Sequence, residues 1–404
     1  MKTNKTFKLR ALEQFKCIAG DCPRNCCSES WDFPVDNATL EKWNALTDAD
    51  EKAWFLNALA NTGEQGSDKL KVSSDKRCCF LNREDLCEVQ MKYGQSYLPS
   101  ICRNFPRATI QTRQVTYETA WYSCPEITRL VLEGDENSDP FILIQSETVP
   151  DLLQEVVLND TNLFVALDEW QASVLGLDKF PLGVRLFFIA SVYAQLVQRT
   201  QSGNLSQRDI DILQQNTRNN LYEMNLAYKQ QRLAPDPVTA GSYWKVIVDL
   251  CAGCHINTDY LMGGEGDLQD AMNNCDGSHA AYARIYDVIK QYRQQSQSEI
   301  RQRYGQALKL FMRNYFAATG FPLQPVTSDH GITLVKCLSG LCMLQLLLWL
   351  AAQRKADLSM QLFQDLVVEV HRRYIHNNTT ELRLKEDRHM QNFAAYSICA
   401  VDLF

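Results

Sequence analysis

Nine of the fifteen cysteines lie between Cys17 and Cys124, and they fall into two sets. Cys17, Cys22, Cys26 and Cys27 read C-x4-C-x3-C-C. After a gap come Cys78 and Cys79, then C-x7-C to Cys87, C-x14-C to Cys102 and C-x21-C to Cys124. Thiolates are soft donors that suit zinc, Cu(I) and iron–sulfur clusters, and four of them complete one site. Neighbours in a Cys–Cys pair point in different directions, so one thiol can bind while the other packs, or both pairs can serve two nearby sites. The spacing matches neither the short C-x2-C of zinc ribbons nor the compact run of bacterial ferredoxins, so the choice between zinc and iron stays open. Pro23, Pro34, Pro99, Pro106 and Pro125 interrupt the same stretch, which reads as a loop-rich segment that a bound metal organises. Simple burial of thiols in a core explains adjacent pairs poorly. Arg103, Arg107 and Arg113 follow Cys102 closely; they can offset thiolate charge, face an acidic partner, or be ordinary surface residues.

Other chemistry-bearing residues form weaker patterns. Cys251, Cys254 and His255 spell C-x-x-C-H, the form of a c-type haem attachment, but that chemistry wants an export context. With Cys275 and His279 the set becomes C-x2-C-x20-C-x3-H, zinc-like in ligand type and count; helical core cysteines and a capping histidine are the favoured reading. Gly263, Gly264 and Gly266, with Asp267, make a loop, LMGGEGDL, that resembles a turn between helices more than a nucleotide-binding turn, because no strand pattern precedes it. Asp249, Asp259 and Tyr260 stand near it and carry no assigned role. His330, His371, His376 and His389 form no site. No nucleophile-elbow signature is present. A radical enzyme would show C-x3-C-x2-C, but Cys22 and Cys26 are followed at the third position by Glu29. No catalytic or cofactor-binding residue is assigned.

These residues sit in a chain of 404, long enough for two domains. Hydrophobic residues make up 45% and charged residues 22%, an ordinary globular balance. The net charge is -7 with cations spread along the chain, which argues against a general nucleic-acid binder. The start, Met1 to Cys17, holds Lys2, Lys5, Lys8 and Arg10 and no long apolar run, so no secretory signal is read and a cytoplasmic, reducing compartment is expected. An odd cysteine count fits that better than a disulfide framework. Ile332 to Ala352 approaches the length of a membrane span, but Lys336, Ser339, Gly340 and Gln345 favour a buried helix, and no stable membrane insertion is expected.

Apolar spacing predicts short helices over Thr39–Leu46 and Asp50–Ala60, the second capped by Asp48. A helix is expected over Thr119–Glu133, and the acidic run Gly134–Pro140 marks the expected boundary between a cysteine-rich region, 1–135, and a mainly α-helical domain, 136–404. In the second part, helices are expected over Pro150–Ser173, Pro181–Thr200, Ser206–Gln231, Ser242–Asn257, His279–Gln295, Ser298–Ala318, Gly331–Ala352, Leu358–Ile375 and Lys385–Ala400. Ser206 with Asp209 approximates a capping box. Period-two alternation is confined to short runs, Ala108–Tyr117 and Phe141–Gln145. The fold class expected is mainly α-helical, with an irregular cysteine-rich metal-binding region in front.

CPRNCC at Cys22–Cys27, CCFL at Cys78–Leu81, Cys87 and SICRNFPR at Ser100–Arg107 resemble cysteine-cluster proteins that chelate zinc or iron. With the opening FKCIAGDCPRNCCSESWDFPVD from Phe15, SCPE from Ser123, and the long helical remainder, the whole chain is similar to flagellin lysine-N-methylases, the FliB type. It departs from the R-P-x-x-C form of the wider group, since Leu98 precedes Pro99. The resemblance implies methyl transfer from S-adenosylmethionine to lysine ε-amines on the surface of flagellin, and an iron–sulfur centre, [4Fe-4S] in form, with zinc as the alternative. Two other functions compete: a metal-dependent flagellar binding or assembly factor without catalysis, and an iron–sulfur redox protein. Oligomeric state, the substrate lysines and the number of methyl groups are not legible.

Overall fold

The structure is a computed structural model that describes residues 4–28, 32–60, 68–111, 115–135, 138–146, 161–201, 206–256, 267–319 and 330–376. The Gly263–Gly266 loop, Asp259, Tyr260, Arg113, His389, Cys399 and the expected helix Lys385–Ala400 lie outside the described residues.

Helices dominate, as expected, but the cysteine-rich part is built around a sheet. Strands β1 (Asn4–Leu9), β4 (Arg107–Gln111), β5 (Val115–Ala120) and β6 (Phe141–Ser146) form it in the order β4-β5-β1-β6. β4 and β5 pair antiparallel, β5 and β1 parallel, and β1 and β6 antiparallel. The register places Phe7 opposite Tyr117, and their rings stack at 5.0 Å. The expected helix over Thr119–Glu133 is corrected here. Thr119 and Ala120 finish β5, and the helix runs only over Pro125–Leu132, with Pro125 in its first turn where a missing N–H does no harm. The acidic run after Glu133 leads from that helix to β6, whose partner is the first strand of the chain.

The described residues form two hydrophobic cores. The smaller holds Phe33, Val35, Trp43, Phe55, Phe80, Val89 and Leu98, with Cys27, Cys87 and Cys102 packed against it. Its helices Asn37–Asn44 and Ala49–Asn57 are capped by Asp36 and Asp48, whose carboxylates accept first-turn N–H groups. Trp43 is fully buried, stacks on Phe55 at 4.8 Å, and donates from Nε1 to the Tyr97 carbonyl at 3.0 Å. A two-stranded ribbon, β2 (Leu59–Ala60) with β3 (Lys69–Leu70), closes this unit.

The larger core combines the sheet with the helices that follow. Helices cover Thr161–Leu175, Leu182–Gln201, Gln207–Lys229, Pro237–Gly253, Asp267–Asn273, His279–Thr319, His330–Gln353 and Met360–Val370. Ser206 donates from its backbone N–H to Asp209 at 3.0 Å, as a capping box requires. The two helices expected over 279–318 are one. The polar run at Gln294–Ser298 does not break it, because Ser296 is buried and returns its hydroxyl to the Tyr292 carbonyl at 2.7 Å. The apolar helix His330–Gln353 lies within the core: Leu341 to Ala351 are buried throughout, and among the described residues no helix is long and apolar enough to cross a membrane. Gly241 allows the helix Pro237–Gly253 to touch the long helix, since a Cβ there would fall 1.8 Å from the Tyr282 carbonyl oxygen.

Sheet and helices are locked by buried polar bonds. Arg313 donates to both carboxylate oxygens of Asp168 at 2.8 and 3.0 Å, and the Tyr117 hydroxyl donates to Asp168 at 2.7 Å. Thr119 pairs with Asn314 at 2.6 Å, and Asn314 donates to the Ala120 carbonyl at 3.1 Å.

Candidate metal centre

The two cysteine sets reach one place. Eight of the nine thiols, those of Cys17, Cys22, Cys26, Cys27, Cys78, Cys87, Cys102 and Cys124, line a single cavity of about 610 Å³. Cys79 does not; it is exposed, and its sulfur donates to the Ala58 carbonyl at 3.7 Å. Cys78 borders the cavity, and its thiol is hydrogen-bonded to that of Cys79 beside it.

Local structure explains the convergence. Cys26 and Cys27 occupy one turn of 3-10 helix, Cys26–Ser28. Asn25 holds that turn: its side-chain oxygen accepts the Cys27 N–H at 2.9 Å, and its amide donates to the Asp85 carbonyl at 3.0 Å. The Cys27 carbonyl then accepts the Cys78 N–H at 2.8 Å, joining the two sets directly. Cys87 and Cys124 each stand at the cap position of a helix, Glu88–Tyr93 and Pro125–Leu132. Cys102 lies in the short helix Ser100–Asn104, which Asp36 fixes by accepting the Ser100 N–H at 2.7 Å. A cis peptide bond joins Phe105 to Pro106 just beyond.

Electrostatics mark Cys26 as the hub. Burial raises the thiols of Cys22, Cys87, Cys102 and Cys124, and a hydrogen bond to the neighbouring thiol, then burial, raises Cys27 and Cys78; the negative charge of Cys26 adds to all six. Cys26 itself is brought down to about 7, first by the hydrogen bond it accepts from the Cys27 thiol, against the effect of burial and with help from the Arg372 charge. Giving that hydrogen bond, together with burial, pushes Cys27 far up. Burial is the largest influence on Cys124, pushed up to about 12, and on Cys102, pushed higher still. For Cys87 burial wins over the N–H groups of Val89 and Gln90, which pull the other way. Cys26 is therefore poised as a thiolate near neutral pH, and Cys22, Cys27, Cys78, Cys87, Cys102 and Cys124 need an added positive centre to ionise with it.

Cationic side chains also line the cavity: Lys16, Arg24, Arg103, Arg107 and Arg372, against Asp32, Asp85 and Glu126. Arg107 lies over the Phe15 ring at 5.3 Å. Phe15, Ile18, Leu86, Leu98 and Phe105 supply an apolar wall. Arg372 is the residue that sequence spacing did not reveal. It comes from the turn His371–Ile375 at the far end of the described chain and is buried against the loop that carries Cys22 and Cys26. Nothing local in HRRY marks it; only the fold brings it there.

The second cysteine group does not join this site. Cys251 and Cys254 are buried in the helical core near Cys342, whereas Cys275 is half-buried and His279 is exposed. Burial raises Cys251 and Cys342, the latter to about 12, as expected of packed thiols. Asp249 is paired on the surface with Lys245 at 2.6 Å. Among the described residues no three His, Cys, Asp or Glu side chains converge on one point at metal-holding range; the N-terminal thiols surround a volume instead.

Comparison with known proteins gives relatives of one kind. The chain is similar to a protein named Lysine-N-methylase from Salmonella typhimurium, 26% identical over 222 residues, and equally to its namesake from Salmonella choleraesuis. Each match covers 50% of this chain and spans 55% of the length of the relative. A protein of Salmonella muenchen named Flagellar biosynthetic protein FliU is 29% identical over 129 residues, 31% of this chain and 75% of that relative. The chain thus spans about half the length of the two proteins named Lysine-N-methylase that it is similar to. No family model matches it, and no solved structure matches either.

Proposed function

We propose that this chain transfers methyl groups from S-adenosylmethionine to lysine ε-amines of flagellin, and that its N-terminal thiols hold an iron–sulfur centre. The similarity to two proteins named Lysine-N-methylase carries the reaction class, and the flagellar name of the third relative supports the substrate.

The donor set suits such a centre in kind. Eight soft sulfurs from two separated segments face one volume, with buried cationic charge beside them. A single zinc ion would draw four thiolates to about 2.3 Å from one point; the number of thiols around the cavity is also enough for a cluster of several atoms, with zinc the alternative. Cys26, central and lowest in pKa, is the first ligand to test; Cys22, Cys27, Cys78, Cys87, Cys102 and Cys124 surround it. When bound, the centre would supply positive charge that holds the thiols ionised and would cross-link the two cysteine segments.

The chemistry asked of the protein is to bind a cationic lysine, free its amine of a proton, and align it with the methyl sulfonium. Burial lowers an amine's pKa, and a carboxylate within reach can take the proton. Alignment in a water-poor pocket then supplies much of the rate.

Purified chain, prepared without air, should add methyl-sized mass increments to flagellin lysines when given S-adenosylmethionine. Absence of increments from protein with full metal content would reject the reaction. Iron with acid-labile sulfide selects the cluster, and zinc without sulfide rejects it. Stable association with flagellin and no cofactor consumption would favour a binding factor instead.

A further inference from the structure

Two carbonyls of the ligand-bearing backbone are held by one side chain from the other end of the chain. Arg372 donates from Nη2 to the Arg24 carbonyl at 2.6 Å and from Nε to the Ser123 carbonyl at 2.7 Å. Arg24 lies between Cys22 and Cys26, and Ser123 precedes Cys124. The link is reciprocal, because the Arg24 guanidinium donates to Glu369, one turn earlier on the same helix, and Arg373 stands 3.5 Å from that carboxylate. Arg372 is 8% exposed and lines the thiol cavity. Its position depends on the helix winding. At His371–Ile375 the turn widens to a π-helix, and His371, Arg372, Tyr374 and Ile375 are all buried. Such widened turns recur at functional sites.

A buried guanidinium needs partners on more than one side, and Arg372 finds them on two segments that no backbone pairing joins to its helix. A planar fork is suited to hold two carbonyls at once, and a single ammonium is not. These two carbonyls are neutral, and the guanidinium lines the cavity beside the thiols, where its charge would favour thiolates.

We propose that Arg372 is a positioning residue of the thiol centre: it clamps the Cys22–Cys27 loop and the Cys124 turn to the C-terminal helix and sets its charge against the thiolate face. The charge-balancing half rests on the reading that these thiols hold metal; the clamp does not. Formation of the centre is thereby tied to docking of a helix 348 residues away from Arg24 in sequence.

Arg372→Met and Arg372→Lys in the full chain test both halves. In metal-free, reduced protein, iodoacetamide labelling is followed cysteine by cysteine by mass spectrometry. Both variants should label Cys22, Cys26 and Cys124 faster than wild type, with Cys251 and Cys342 in the helical core unchanged. In anaerobically reconstituted protein, Arg372→Met should lose iron to a chelator at least about tenfold faster, as expected for an outer-shell partner, and its centre should have a lower reduction potential. Arg372→Lys should restore the potential and not the retention. Wild-type labelling in both variants overturns the clamp. If Arg372→Met also exposes Cys251, the lysine variant decides, and selective labelling there upholds the clamp. Unchanged potential in Arg372→Met overturns the charge role. A wild-type chain that takes up no iron rejects the metal reading and the charge role with it, while the labelling result still stands on its own.

Discussion

Replacing Asp168 with Asn should destabilise the junction between sheet and helices, because that carboxylate anchors three strong bonds in one buried spot. It accepts two from Arg313 and one from Tyr117, at 2.7 to 3.0 Å, and the three residues are between 1% and 7% exposed. Burial pulls the Arg313 guanidinium down, yet Asp168 and then Asp139 outweigh it and keep it charged. Asparagine preserves the shape and removes the counter-charge. Breaking one side of a buried pair costs about 3–5 kcal/mol. Asp139, 3.7 Å from Arg313 Nε with a half-exposed side chain, stays behind and places the expectation at the lower end. Tyr117→Phe removes a hydrogen bond to a charged acceptor and should cost about 1.5–3 kcal/mol. The double change Asp168→Leu with Arg313→Met should recover most of the loss, since apolar replacements of similar volume are often tolerated where a widowed charge is not. Urea unfolding followed by circular dichroism and tryptophan fluorescence reads the effect, with both probes needed because more than one core is present. A loss under about 1 kcal/mol for Asp168→Asn, the range of exposed pairs, would falsify the claim that this network locks the sheet. A double variant weaker than Asp168→Asn would refute the explanation by unpaired charge.

Three further outcomes follow from local geometry. Burial pushes Asp36 up, but the Ser100 N–H and the Thr39 groups outweigh it and bring the carboxyl to about 2, below its ordinary 3.8, so its contribution is full above about pH 4 and lost as pH falls toward 2; the stability advantage of wild type over Asp36→Asn should shrink across that window in acid titration. Gly241→Ala forces a methyl against the Tyr282 carbonyl and should lower stability by about 1–3 kcal/mol or more, read as a drop in thermal midpoint. Cys79→Ala should leave the metal content of anaerobically prepared protein unchanged while Cys26→Ala lowers it, since only the second thiol faces the cavity; equal losses would show that the cavity is not the site.

What the sequence disclosed followed the range of the forces involved. Helices written by local periodicity and caps, such as Gln207–Lys229 behind Ser206 and Ala49–Asn57 behind Asp48, were legible to within a few residues. The cysteine sets were legible because soft donors so crowded have few other uses, although which member of Cys78–Cys79 faces inward needed a backbone. Alternation over Phe141–Gln145 and Ala108–Tyr117 fell on strands, but Asn4–Leu9 was not legible, because its partners lie more than a hundred residues away at Val115–Ala120 and Phe141–Ser146 and only pairing makes it a strand. The same limit hid Arg372. A basic pair late in a helix reads as a solvated end until the fold shows it spanning Arg24 and Ser123. A thiol-rich segment therefore announces its donors but not its frame. In this chain the frame is the large helical core: it contributes the buried cation, and through Asp168, Arg313 and Asn314 it holds the sheet from which Cys124 emerges. The long helical remainder is thus part of how the thiols are positioned, which an independent electron-carrying module would not need.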